Sequence, residues 1–118
     1  MTQHDELVYL RHILDAAREA CEIVRGMTRE ELDEDRLRQL ALTRLLEVIG
    51  EAAARVSPES RKRMATLPWG PMISIRNRII HGYDTVDYDR IWDTVKTDLP
   101  ALIPLVEGIL STGNEPES

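Results

Sequence analysis

Apolar residues recur along this chain at spacings of three and four, the period that gathers side chains onto one stripe of an α-helix. Leu7, Leu10, Leu14, Ala17, Cys21 and Val24 follow that spacing and predict a helix from about Asp5 to Arg25, which Gly26 ends. Thr28 with Glu31 makes a capping-box pattern able to satisfy orphan amides at a helix start, and the acids Asp33 to Asp35 also favour the positive end of a helix dipole. A second long helix is expected from there to about Val56. Leu42, Leu45, Ile49, Ala52 and Val56 form its stripe, while Arg44, Glu47, Glu51 and Arg55 lie toward another face. Two helices of similar length joined by a short link pack antiparallel.

Ser57 followed by Pro58 reads as an N-cap and first helical position, so Glu59 to Ala65 is predicted as a short third helix. Leu67-Pro68-Trp69-Gly70-Pro71 reads as a loop. A helix from about Met72 to Ile80 then presents Ile73, Ile75, Ile79 and Ile80, with Gly82 as its stop, and Asp87 caps the next helix. Tyr88 to Lys96 and Leu99 to Leu110 form a kinked pair, because Pro100 breaks the hydrogen-bond ladder unless it lies in a new first turn, and Pro104 adds a bend. The tail from Ser111 to Ser118 has no apolar residue to bury and is expected to be disordered. No segment has period-two alternation bounded by hairpin turns. The expected fold is therefore an all-α antiparallel bundle of about five helices, one domain over residues 1–110 with a tail over 111–118.

Composition narrows the function classes. A chain of 118 residues can bury one core, and none of its apolar runs approaches the roughly 18 residues a membrane span requires. The N-terminus has no secretory pattern and Cys21 is the only cysteine, so a soluble cytoplasmic protein without disulfides or membrane contact is expected. A net charge of -6 argues against nucleic acid as a partner. Its distribution alters that reading, because Arg55, Arg61, Lys62, Arg63, Arg76 and Arg78 fall in one stretch with the single acid Glu59. Such a basic region can meet phosphate, but taken alone it reads more readily as a solvated face that binds nothing.

Candidate chemistry lies in Ile75-Arg76-Asn77-Arg78-Ile79-Ile80-His81-Gly82-Tyr83. Arginine offers planar paired donors to phosphate, and histidine exchanges protons near neutrality, which together suit transfer at a phosphodiester. RNA brings its own nucleophile: the 2′-hydroxyl attacks phosphorus and leaves a 2′,3′-cyclic phosphate and a free 5′-hydroxyl. His4, His12 and His81 are scattered and no cysteines are grouped, so no metal site and no cofactor are expected, and His4 and His12 are placed on the surface of the first helix. In a helix Asn77 and His81 share a face, so the amide can orient the imidazole or contact substrate. Arg76 and His81 would differ by about 140° and about 7.5 Å along a straight helix. Either the helix ends near His81, or two chains share a site, a symmetric dimer supplying one histidine as base and another as acid. A histidine in a last helical turn would also feel the negative dipole end. The competing reading pairs Arg76 with Glu47 or Glu51 and makes His81 only a cap. Trp69 and Trp92 read as core or dimer anchors.

The pattern R-N-x-x-x-H-x-Y over residues 76–83, followed by Val86-Asp87, resembles the HepT-like branch of the HEPN superfamily. Tyr9-Leu10, Ile13-Leu14, Ile49-Gly50-Glu51-Ala52-Ala53, Leu67-Pro68-Trp69 and Asp98-Leu99-Pro100 extend the likeness over residues 7 to 110 in family order. The resemblance implies a helical bundle, a homodimer that joins two motifs, and a metal-independent endoribonuclease toxin with Arg76 and His81 catalytic and Asn77 as their polar companion. It also implies a minimal nucleotidyltransferase antitoxin of the MntA type that adds AMP to the motif tyrosine, here Tyr83. A nucleotide there would set phosphate two residues from His81. The other reading of Tyr83 is a turn aromatic packed at a helix end. Arg78, Arg61, Lys62 and Arg63 are assigned to RNA phosphate. The alternative function is a HEPN module that holds RNA or nucleotide without cutting it.

Overall fold

The first apolar stripe forms α1 (Gln3–Val24) in a computed structural model that describes residues 3–83 and 85–113. Leu7, Leu10, Leu14, Ala17 and Val24 are buried and Cys21 is half-buried; Ile13, Ala16 and Ala20 are buried beside them and widen the stripe. The capping box at Thr28 is present, Thr28 N–H donating to the Glu31 carboxylate and Glu31 N–H to the Thr28 hydroxyl. It starts only a single turn, α2 (Arg29–Asp33), instead of the long helix expected. The chain restarts as α3 (Arg36–Arg55), where the Asp35 side chain accepts from Arg38 N–H at 3.0 Å. Gln39 donates its side-chain amide to the Leu32 carbonyl, which also accepts from Asp35 N–H, and to the Asp33 carbonyl, and so ties the end of α2 to the start of α3.

α3 returns antiparallel to α1 and buries Leu42, Leu46, Ile49, Ala52 and Ala53, with Leu45 half-buried. Its end meets the start of α1 through one buried carboxylate. Ser57 caps α4 (Pro58–Arg63), and Glu6, only 3% exposed, accepts from Ser57 N–H at 3.0 Å and from the Ser60 hydroxyl, with Arg63 at 3.6 Å. Burial pushes the Glu6 carboxyl up, but the Ser57 and Ser60 hydrogen bonds and the Arg63 charge together outweigh it and hold the group below its ordinary value.

The loop expected over 67–71 is shorter, because α5 (Trp69–Ile73) begins at Trp69; Pro71 is tolerated in a first turn, where its missing N–H has no helical partner. The helix expected over 72–80 is split at Ser74, whose hydroxyl and N–H both donate to the Gly70 carbonyl. α6 (Ile75–Ile79) follows, then a minimal antiparallel hairpin of β1 (Ile80–His81) and β2 (Thr85–Val86) that the sequence pattern did not predict. Ile80 faces Val86 and His81 faces Thr85. Gly82, with φ +75°, therefore serves the hairpin turn and does not stop a helix.

Asp87 caps α7 (Tyr88–Asp93) by accepting from Arg90 N–H, as expected. A π-helical turn over Thr94–Asp98 leads into α8 (Leu99–Gly113), and Leu99 N–H bonds the Thr94 carbonyl five residues back. Pro100 thus falls in a first turn, where it needs no donor, while Pro104 lies inside α8. α8 reaches three residues into the expected tail; residues 114–118 lie outside the described ones. α8 packs on α1 to complete an all-α bundle, and Trp69 and Trp92 sit half-buried against its core. Among the described residues, no helix is long and apolar enough to cross a membrane.

Gly50 sets the distance between α3 and the segment that carries the motif. A Cβ there would lie 2.8 Å from Ile75 Cγ2 and 3.2 Å from the Met72 carbonyl oxygen. Gly50→Ala is expected to lower the unfolding free energy by about 1–3 kcal/mol through overpacking, despite the roughly 1 kcal/mol helix-propensity gain, as urea unfolding would measure. Glu6→Gln is expected to cost about 1–3 kcal/mol at neutral pH. Because the folded carboxyl is depressed, its contribution is full above the unfolded value of about 4.3 and is lost as pH falls through the lower folded value, so the difference from wild type shrinks in acid.

Candidate active site

α6 is only five residues long, and the burial of Ile75 and Ile79, one turn apart, fixes its inner face. Arg76 and Asn77 consequently point outward and are exposed. Arg76 donates from Nε to Glu47 Oε2 at 3.1 Å, its side chain 66% exposed against 19% for Glu47. The ion pair proposed as the competing reading thus exists. It engages Nε, so an exposed guanidinium held in this way keeps its Nη donors available for a phosphate. Arg44 lies 4.0 Å from Glu47 and 3.4 Å from Glu51, extending the charged face of α3.

α6 ends at Ile79, and Ile80 is extended with φ -114° and ψ 121°. The helix therefore ends before His81, the first of the two arrangements that the sequence left open. Two helical expectations fail for the same reason: His81 is not one turn after Asn77 on a helix face, and it does not sit in a last helical turn. It stands in β1, 58% exposed, with Nε2 3.5 Å from Asp87 Oδ2. Asp87 is fixed by its own N–H, donated to the Ile79 carbonyl at 2.7 Å, and by Oδ1, which accepts from Arg90 N–H at 2.9 Å. The Arg90 backbone amide above all holds the Asp87 carboxyl below its ordinary value; His81 and the Arg90 charge add to this against partial burial. In the sequence Asp87 was legible as a cap and as part of the family likeness after the motif, but not as a partner of His81.

Tyr83 is 99% exposed in the hairpin turn, so the reading of an aromatic packed at a helix end does not hold. Arg78, two residues beyond Arg76, turns to another side of α6. It is half-buried and lines a cavity of about 430 Å³ with Thr94, Thr97 and Asp98. Arg61 donates to the Ala54 carbonyl at 3.0 Å, and Arg63 donates to the Ser60 hydroxyl at 2.6 Å, so both help hold α4 in place. Lys62 is exposed. α4 sits where α3 ends beside the start of α1, whereas Arg76 meets the middle of α3. The basic stretch of the sequence is therefore not one patch around His81. His12 is exposed and lies edge-on to Tyr9, while the His4 side chain is outside the described residues. Among the described residues, no group of three or more His, Cys, Asp and Glu could hold a metal ion.

A family model described as ribonuclease HepT-like matches residues 13–109. The chain is similar to a protein of Methanocaldococcus jannaschii provisionally named an RNase, with 32% identity over 107 residues that cover 91% of this chain and 98% of that one. A protein of Caldanaerobacter subterraneus subsp. tengcongensis with the same provisional name is 35% identical over 102 residues, covering 86% and 91%. The probable ribonuclease HepT of Thermococcus cleftensis is 38% identical over 93 residues, covering 75% and 84%. No solved structure matches the chain significantly. Since Tyr83 packs against nothing that its hydroxyl could anchor, Tyr83→Phe is expected to leave stability within about 0.5 kcal/mol of wild type in thermal unfolding.

Proposed function

This chain belongs to the HepT-like ribonuclease family, and from that premise we propose that it is a metal-independent endoribonuclease, the toxin of a toxin–antitoxin pair acting in the cytoplasm. The observation that carries the reading is the placement of Arg76 and His81. Both are exposed on and just after one short core-anchored helix, and each is held by a carboxylate from elsewhere, Glu47 and Asp87.

Arg76 binds the scissile phosphate through its free Nη donors, and Asn77 beside it offers a neutral contact to the same nucleotide. His81 takes the proton from the 2′-hydroxyl. The O2′–P bond forms as the P–O5′ bond breaks, and the leaving oxygen takes a proton to give a 5′-hydroxyl end opposite a 2′,3′-cyclic phosphate. A homodimer suits this chemistry, because the His81 of a second copy supplies the acid while the first acts as base. Lys62 is the member of the α4 cluster best placed to steer RNA, with Arg61, Arg63 and Arg78 adding positive potential from sites where they already serve the fold.

Inactivation by a partner nucleotidyltransferase of the MntA type fits the exposure of Tyr83. Its hydroxyl stands clear of the bundle two residues from His81, and an added AMP would put negative charge and bulk where RNA phosphate has to approach. The test is incubation of purified, unmodified protein with total cellular RNA in EDTA, beside Arg76→Ala and His81→Ala. Cyclic phosphate ends made by wild type, with at least about a hundredfold less from either variant, are expected. Cleavage that needs added metal would overturn metal independence alone. Intact RNA throughout would favour the binding module that does not cut.

A further inference from the structure

We propose that Asp87 is the positioning residue of His81, fixing the imidazole so that Nε2 carries the proton and Nδ1 is the nitrogen that meets RNA. The claim about RNA rests on the ribonuclease reading above, while the claim about the imidazole stands without it.

The geometry assigns the two oxygens of Asp87 to different tasks. Oδ1 accepts from Arg90 N–H at 2.9 Å and caps α7, while Oδ2 lies 3.5 Å from His81 Nε2. The residue has little freedom to turn away, because its N–H is donated to the Ile79 carbonyl at 2.7 Å. His81 is held from the other side by hairpin pairing with Thr85. A distance of 3.5 Å is at the outer limit of a hydrogen bond, as in many ligand-free sites whose contacts tighten when substrate binds. A carboxylate can only accept, so the nitrogen facing it bears the proton, and in a neutral ring the other nitrogen is left with a lone pair. That lone pair is what removal of a 2′-hydroxyl proton requires. With its side chain 58% exposed, the imidazole stands where a substrate can reach it. Arg90 is the basic group that acts on the same carboxylate from α7, and Arg76 stands on α6 before the hairpin.

Asp87→Ser separates positioning from capping. Serine is as good an N-cap as aspartate, so it keeps the bond to Arg90 N–H, but it has no second oxygen to place against Nε2. Nitrogen NMR of the free protein is expected to find neutral His81 as the Nε2–H tautomer in wild type and as a mixture in Asp87→Ser, with unchanged thermal unfolding. In RNA cleavage kcat is expected to fall by at least about 10- to 100-fold with KM nearly unchanged, the range seen when the partner that orients a metal-bound histidine is removed. Asp87→Ala, which removes both oxygens, lowers stability as well. A wild-type ring in the Nδ1–H form, or a tautomer and kcat unchanged in Asp87→Ser, would overturn the proposal. If wild type cuts no RNA, the ribonuclease reading fails, and the tautomer still decides the role of Asp87.

Discussion

Between α3 and the α5–α6 segment there is no room for a methyl group at residue 50, and the placement of Arg76 depends on that closeness. Ile75 presses directly on the Gly50 backbone. Glu47 lies three residues before Gly50, on the same face of α3 one turn away, and Arg76 follows Ile75 immediately. The contact that seats Ile75 thus carries Arg76 to Glu47, where Nε is caught at 3.1 Å. An exposed ion pair contributes little to stability. Its consequence here is directional, since an arginine on a five-residue helix has no neighbouring turn to limit its sweep.

The second constraint is the fate of the Ile79 carbonyl. In a continuing helix it would accept from Tyr83 N–H, four residues on. It accepts instead from Asp87 N–H, eight residues on, so the backbone between them closes into the hairpin. One exchanged hydrogen bond has three results. His81 leaves the helix, Asp87 arrives beside it, and Tyr83 is carried into solvent at the turn. The histidine, its carboxylate and the exposed tyrosine are products of the same local event, which places the proposed chemistry and its proposed control on a loop only a few residues long.

How much of this was legible follows the range of the forces involved. The stripes of α1 and α3, and the caps at Thr28, Ser57 and Asp87, depend on side chains within a turn of each other, and the sequence displays them directly. The break after α2 is different. Asp33, Glu34 and Asp35 are consecutive acids, two of them good caps, and the choice of Asp35 depends on burial of Leu32 and on Gln39 reaching back to the α2 carbonyls. Strands of two residues are too short to show alternation, so the hairpin has no periodic signature. At the site, Arg76 and His81 were visible as residue types in a motif, but which carboxylates would hold them was not fixed. Glu47 and Glu51 were equal candidates for Arg76 until the Gly50 contact set the register.

Linear charge density was the least reliable guide. Six basic residues between Arg55 and Arg78 looked like a phosphate-binding stretch, yet the fold disperses them. Arg61 and Arg63 are engaged with Ala54, Ser60 and Glu6 around α4, Arg78 lines a cavity, and Arg76 is already paired with Glu47. Affinity for a nucleic-acid backbone scales with the number of phosphates neutralised, and a chain of net charge -6 with so few free cations near His81 can neutralise few. Under the proposed function, a single copy is therefore poorly suited to tracking a strand and better suited to holding one phosphate. Under the proposed function, selectivity must then come from the shape of the RNA around that phosphate, and additional affinity from a second copy placing its own Arg76 beside the first.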